Sequence, residues 1–519
     1  MSVIIFYKGE IILKKILFMS LNVTSNRTPE ENLGVYYLQK ALSNKNIQNE
    51  YIDCWLEKKD HINLIQSINL SNYLFISITG CLSNVDEIKK IIPYVNGKCP
   101  VVCGGYGATF GYEDLLKAGV SLVMIGEGDI SILQVVEYFC GKRTIEKVEG
   151  IAYFHKNKIV VNKVKTVIDL NNLPLLDNRK YIYNIIKNKA AVNILTSKGC
   201  NGNCIFCSIN SFYKYLPIKW RGRDIEYIIE EIKYLYNLGV RVVKMVDDSF
   251  IENERDISWI KRFTTQLKKN APHLLFRISL RADCVSEEMV KSLKDAGLFS
   301  VSCGIESGSD SVLKRIAKKS TVQQNQKALD IFQKYQIYVQ AGFIMFDDET
   351  TMPELWDNLF FLKNNMQIVI KGIFTEMYAA EGTPYAEKLL KSNDMPKYYG
   401  NYQYKIKDNR VQEVYKYIKK WQIMLNEFYD KLIDPISAPK ALSLYEYKLF
   451  YEIYLDIHKE DVDFFEKVLN CVEKNIEEKI IEDAMRDRKE KLSRDMKQID
   501  NLYEKVGLNV ITLNNIFIQ

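Results

Sequence analysis

The chain has 519 residues, 71 of them basic and 65 acidic, for a net charge of +6, with 47% hydrophobic and 26% charged residues. That length exceeds one hydrophobic core and suggests about three units, while the composition excludes an intrinsically disordered chain. A small charge excess on so large a surface excludes a nucleic-acid footprint, and the many Lys, Asn and Ile residues read as a habit of the source.

At the N-terminus, Ile4 to Met19 is interrupted by Lys8, Glu10, Lys14 and Lys15, and no apolar run reaches the roughly 18 residues that span a bilayer. A cytoplasmic protein with no membrane partner is expected, so its 11 cysteines are read as core residues or metal ligands before disulfides. Five apolar runs then alternate with amphipathic stretches: Lys15 to Met19, Glu50 to Asp53, Tyr73 to Ile78, Val101 to Cys103 and Leu122 to Ile125. Strands alternating with helices make a parallel sheet, which sets an α/β domain over residues 1–145 with its ligand loops at the strand carboxyl ends. Cys54, Cys81, Cys103 and Cys303 lie in apolar surroundings and are expected to pack as small hydrophobes.

Residues 146–190 read as a link, with a hairpin strand at Lys156 to Val161 and a proline-bearing connector at Leu173 to Asp177. A second series fills residues 191–396. Its strands are expected near Val192 to Leu195, Val240 to Val246, Leu274 to Leu280, Ser300 to Ile305, Val339 to Met345 and Ile373 to Met377, a partial (β/α)6 barrel of the TIM type. Residues 397–519 read as a helical domain, and the charged run Glu473 to Lys497 as a solvated helix face.

The most informative segment follows the first barrel strand: Thr196-Ser-Lys-Gly-Cys-Asn-Gly-Asn-Cys-Ile-Phe-Cys207. Cys200, Cys204 and Cys207 can converge three thiolates on one centre, with Gly199 and Gly202 bending the loop. Three ligands on a four-iron cubane leave one iron open. The residues alone leave a zinc site or a packing cluster as alternatives, although structural zinc takes four ligands and no nearby fourth is evident.

This CxxxCxxC loop resembles that of the radical S-adenosylmethionine superfamily. The resemblance extends to Trp220-Arg-Gly-Arg-Asp224, Val246-Asp-Asp-Ser-Phe250, Arg277-Ile-Ser-Leu-Arg-Ala-Asp283 and Cys303-Gly-Ile-Glu-Ser-Gly308. It implies a 4Fe-4S cluster on the three cysteines, which serve as metal ligands and catalytic centre. It also implies S-adenosylmethionine contacts from Phe206, Asp247, Asp248, Ser249, Ser279, Arg281 and Glu306. The aspartates and Ser249 suit the ammonium, Arg281 the carboxylate, and Glu306 the ribose or the amino group. Phe346-Asp-Asp-Glu-Thr350 departs from the family's Pro-Gly-Glu-Thr turn, retaining Glu349 and Thr350.

The first 140 residues resemble the cobalamin-binding domain, flavodoxin-like or Rossmann-like, that precedes the barrel in one subgroup of this superfamily. Ser77 and Thr79, Gly104 and Gly105, and Gly126, Glu127 and Gly128 fall after the third, fourth and fifth strands and are the expected contacts. The Asp-x-His-x-x-Gly signature of a cobalt-ligating histidine is missing, and His61 reads as a surface residue. The resemblance implies an enzyme that makes a 5'-deoxyadenosyl radical and methylates an unactivated carbon of a small-molecule or peptide substrate. It also implies a reducing partner such as flavodoxin or ferredoxin. The alternatives are rearrangement, cyclisation or oxidation without methyl transfer, and a non-catalytic cobalamin- or iron-responsive binding protein.

Overall fold

Near-continuous apolar runs bury both faces of a strand, and such strands assemble into a parallel sheet covered by helices. In the computed structural model, Lys15–Ser20 (β1), Asn49–Asp53 (β2), Tyr73–Thr79 (β3), Val101–Gly104 (β4) and Leu122–Met124 (β5) do so, pairing in parallel in the order β2-β1-β3-β4-β5. The structure describes all residues except 1–3, 8–9, 22–30, 81–83, 178, 188–189, 215, 253, 392–395, 399–400, 438–441, 477 and 509–519. The order reverses between β1 and β3, and a crevice opens there at the carboxyl ends. Cys54, Cys103 and Cys303 are buried, as packing cysteines should be; Cys81 lies outside the described residues. His61, expected at the surface, is instead buried, with Nε2 3.3 Å from Glu87 Oε2.

The hairpin expected to begin the link belongs to this sheet. Ile151–His155 (β6) pairs antiparallel with β5, and Lys158–Asn162 (β7) closes the edge. Burial explains the difference: Ile151, Ala152 and Tyr153 are apolar and buried on the sheet, which a solvated connector could not provide.

Val192–Ile194 (β8), Val242–Met245 (β9), Leu275–Arg281 (β10), Leu298–Glu306 (β11) and Tyr338–Phe343 (β12) form the barrel's parallel sheet in sequence order. The sixth segment joins it through isolated parallel bridges, Gln340 to Val369 and Phe346 to Glu376. The amides of Met345 and Phe346 both donate to the Thr375 carbonyl, which breaks the regular ladder. The departed turn after β12 is held by its own aspartate. Asp347 Oδ1 accepts from the Glu349 amide at 2.8 Å, and Arg315 anchors the other oxygen at 2.9 Å.

Of three long helices, Asn409–Ser437, Leu444–Lys474 and Lys479–Val506, the first packs on β12 and the second on the helix Met352–Asn364 that follows that strand. Tyr415 packs on Phe346 and Phe374, and the Tyr454 hydroxyl accepts from the Ile370 amide at 2.9 Å. No described helix is long and apolar enough to cross a membrane.

Inside this bundle Asp461 is fully buried, accepts from Trp421 Nε1 at 2.7 Å and from the Tyr429 hydroxyl, and burial pushes its carboxyl up to about 7. A raised folded pKa means that the native state binds the proton more tightly than the unfolded chain. Stability contributed by the neutral acid is therefore present below the unfolded value and lost as pH rises from about 4 through about 7. Asp461→Asn, which keeps an acceptor for Trp421 Nε1 and turns its NH2 toward the Tyr429 hydroxyl oxygen, should remove that decline and gain on the order of a few kcal/mol over the parent at pH 8 but little at pH 4. Urea unfolding across pH 4 to 8 measures it; identical pH profiles would contradict the burial argument.

Candidate functional site: a cysteine loop beside an interdomain cavity

After β8 the chain enters a short ribbon in which Ser197–Gly199 pairs antiparallel with Trp220–Gly222. The cysteine loop is the excursion between these two strands. Gly199 sits at φ +90°, and a Cβ there would lie 1.9 Å from the Lys219 carbonyl oxygen. Backbone cannot yield that distance. Gly199→Ala should therefore destabilise the ribbon by about 3 kcal/mol or more, read as a fall in thermal midpoint and in iron bound after anaerobic reconstitution.

Asp247 and Ser249, expected to meet the ammonium, are committed to this architecture instead. Asp247 Oδ1 accepts from the Thr196 and Ser197 amides at 2.7 and 3.0 Å, while Arg255 binds the Thr196 hydroxyl at 2.9 Å and its carbonyl at 2.6 Å. Ser249 is fully buried, its hydroxyl donates to the Ile251 carbonyl, and its own carbonyl accepts from Ser197 and Trp220. Asp248 lies beside them and accepts from the Gly199 amide at 2.8 Å; burial pushes its carboxyl up to about 6.

The three cysteines are half-buried and close enough to shift one another's charge, and burial pushes all three thiols up, Cys207 to about 11. A Cβ on Gly202 would lie 3.3 Å from Cys200 Sγ and 3.9 Å from Cys204 Sγ, so this glycine brings the two sulfurs to one side of the loop. The Gly202 amide donates to Cys200 Sγ at 3.3 Å, and Arg281 Nη1 approaches it at 3.9 Å. Such donors favour the thiolate. No three His, Cys, Asp or Glu among the described residues converge as on a single metal ion. Three thiols in one loop, with donors to a sulfur, fit a cluster held by thiolates.

Arg281 is not available to a carboxylate in the expected way. Its Nε and Nη2 bind Asp283 at 2.9 and 3.0 Å, Nη1 binds Glu252 at 2.6 Å, and Cys284 Sγ lies 3.2 Å from Nη2. Glu306 ends β11 at a register shift with φ +66°, and pairs with buried Lys318 at 3.0 Å; both charges act on Cys204. Half-buried Ser279 gives its carbonyl to the Phe250 amide, and Phe206 packs on the apolar cluster around Leu313 and Ile316. Glu252, Cys284 and Lys318 escaped the sequence reading because no spacing links them to the cysteines.

A cavity of about 460 Å³ lies between the first sheet and the barrel. Ser77, Thr79, Gly104, Gly105, Gly126, Glu127 and Gly128 all line it, so the structure gathers the loop residues singled out in the N-terminal domain. Gly105 has φ +91°, and its Cβ would lie 3.0 Å from Thr79 Oγ1 and 3.2 Å from the Gly80 carbonyl. That is a cradle a side chain would fill. Glu127 lines the cavity, but its carboxylate already binds Arg221 at 2.6 Å and Lys198 at 3.2 Å. From the barrel side come Asn193, Leu195, Lys198 and Val246, with Phe212 and Tyr213 from just beyond Cys207. Tyr106 stacks on Phe212 at 4.1 Å. The aromatic pair Phe212-Tyr213, five residues past the last cysteine, was the available signal for this wall. There is no histidine among the described residues that line the cavity.

Residues 194–362 match the family model of the radical SAM superfamily. An uncharacterized methyltransferase of Pyrococcus horikoshii is 28% identical over 286 residues, 52% of this chain, and the chain spans 60% of that relative's length. The fold is similar to that of the cobalamin-dependent S-adenosylmethionine radical enzyme OxsB, with a TM-score of 0.74 at 18% identity over 95% of this chain and 84% of the other. It is also similar to the radical S-adenosylmethionine methyltransferase TsrM of Kitasatospora setae, with a TM-score of 0.58 at 15% identity over 68% of this chain and 73% of the other. At these identities the two structures speak for the fold.

Proposed function

We propose that this chain, a radical SAM superfamily enzyme by its domain over residues 194–362, is cobalamin-dependent and transfers a methyl group to an unactivated carbon of a small molecule or peptide. One observation carries the reading: the cavity is built jointly by the carboxyl-end loops of the first sheet and by the segments that flank the cysteine loop. When bound, the cluster supplies one electron that cleaves S-adenosylmethionine to methionine and a 5'-deoxyadenosyl radical, and cobalamin supplies a methyl-carrying cobalt.

The chain's own residues hold, orient and enclose. Cys200, Cys204 and Cys207 hold the cluster, and the Gly202 amide and Arg281 stabilise charge on Cys200. With Arg281 tied to both Asp283 and Glu252, the Glu306–Lys318 pair beside Cys204 would open to give the methionyl ammonium an acceptor and its carboxylate a donor. Asp248 adds an acceptor on the ribbon side. Gly104 and Gly105 let the corrinoid approach backbone, and the Tyr106–Phe212 stack keeps water from the wall between the two halves. The electron comes from a reducing partner such as flavodoxin or ferredoxin.

Each methylation consumes two molecules of S-adenosylmethionine, one cleaved and one as methyl donor. Incubation with methyl-deuterated S-adenosylmethionine should give 5'-deoxyadenosine and S-adenosylhomocysteine in roughly equal amounts, with label in the product. Unlabelled isomeric, cyclised or dehydrogenated product with 5'-deoxyadenosine alone would replace methyl transfer by the second enzyme reading.

A further inference from the structure

The ribbon that carries the cysteine loop contains an electrostatic conflict. Lys198 and Arg221 are direct cross-strand partners, two cations side by side on a ladder three residues long. Like charges placed directly opposite destabilise a strand pair. Neither is neutralised within the ribbon. Both reach across the domain boundary to the loop after β5, where Glu127 takes Arg221 at 2.6 Å and Lys198 at 3.2 Å, and Asp129 takes Lys198 at 3.0 Å. All four side chains are largely buried, between 10 and 15% exposed, so these pairs are poorly screened. Lys198 stands two residues before Cys200, and its neighbour Gly199 begins the excursion.

The acidic loop is also part of the cavity wall. Gly126, Glu127, Gly128 and Asp129 line it, and Gly126 takes φ +74°. Glu127 stands at the turn and Asp129 in the first turn of the helix Gly128–Phe139, and the turn is held by the Ile125 amide donating to the Gly150 carbonyl at 2.7 Å and the Gly126 amide to Thr109 Oγ1 at 3.0 Å. A ligand seated against these glycines would brace the turn and helix start that supply the two carboxylates, and the carboxylates hold the cysteine ribbon.

We propose that Lys198 is a positioning residue coupling the two cofactor sites, so that a corrinoid in the cavity stabilises the cluster on Cys200, Cys204 and Cys207 through Glu127 and Asp129. This rests on the reading of the cavity as a corrinoid site. By linkage the coupling is reciprocal: the cluster tightens corrinoid binding by the same factor.

The test uses the reconstituted full chain and reads iron release to a ferrous chelator, with and without saturating hydroxocobalamin, whose occupancy is first measured by equilibrium dialysis. Bound hydroxocobalamin should slow iron release roughly five- to tenfold. In Lys198→Met, which keeps the Arg221–Glu127 pair and is read at hydroxocobalamin occupancy matched to the parent's because Lys198 also lines the cavity, the protection should fall markedly, and Lys198→Arg should restore part of it. Glu127→Gln gives a second view should Lys198→Met fail to fold. Equal iron release with and without bound hydroxocobalamin in the parent chain overturns the coupling alone and leaves the corrinoid site standing. Protection undiminished in Lys198→Met at matched occupancy likewise overturns it. No hydroxocobalamin retained at all removes the corrinoid reading and the coupling together.

Discussion

Replacing Cys200, Cys204 and Cys207 together by alanine is expected to leave protein that binds essentially no iron or sulfide after anaerobic reconstitution, where the parent binds about one cubane per chain. Apart from the Gly202 amide and Arg281 on Cys200 Sγ, the loop's anchors do not involve the sulfurs. Asp247 fixes Thr196 and Ser197, Asp248 fixes Gly199, and the Asn210 amide donates to the Gly202 carbonyl at 2.6 Å. The triple variant should therefore fold, with far-ultraviolet circular dichroism unchanged. Each single variant should lose most of the cluster, since two thiolates cannot hold four irons against exchange. Cys303→Ser should retain iron, because Cys303 is a fully buried residue of β11 that burial pushes up to about 12. Cys284→Ser is the informative control. Its sulfur faces Arg281 and feels the charge of Cys200, so iron loss there would make it a fourth ligand. Full iron and sulfide in the triple variant would end the cluster assignment.

The second large effect concerns the cavity. Parent protein should retain hydroxocobalamin with a spectrum that lacks histidine coordination, since no described lining residue is a histidine. Gly104→Val should weaken retention by roughly a hundredfold, equivalent to about 3 kcal/mol. A Cβ at Gly104 meets only the Met124 side chain, its flexible end at 3.1 Å and its Cβ at an ordinary 3.8 Å, so the strand can accept a side chain while the cavity loses its backbone approach. Gly105→Val should be harsher, because φ +91° and the Gly80 carbonyl oppose any Cβ. Cluster content should remain near the parent's in Gly104→Val. Equal hydroxocobalamin binding by parent and Gly104→Val would place the corrinoid elsewhere, and no retention by well-folded parent protein would remove cobalamin from the mechanism.

What the linear sequence determined are the features whose cause is local. Strand runs such as Tyr73 to Ile78 are apolar on both faces, so they specify parallel strands wherever they are used. The three cysteines lie within eight residues and need only one bent loop to converge. Glycines after strands mark places where backbone must turn or be approached, and all of those singled out in the first domain line one cavity.

The tertiary structure decided which task each charged group performs, because a carboxylate or guanidinium takes the partner that folding brings to it. Asp247 looked like a ligand for an ammonium, yet the amides of Thr196 and Ser197, some fifty residues earlier, claim it. Arg281 looked like a carboxylate donor until Glu252 and Asp283 took its guanidinium. Lys318 carried no sequence signal and became the partner of Glu306. The hairpin strand at Lys156 to Val161 reads in the sequence as part of the link, but burial of Ile151, Ala152 and Tyr153 against β5 makes β6 and β7 part of the sheet. Local pattern fixes the backbone's menu; desolvation and long-range pairing choose which charges remain free to do chemistry.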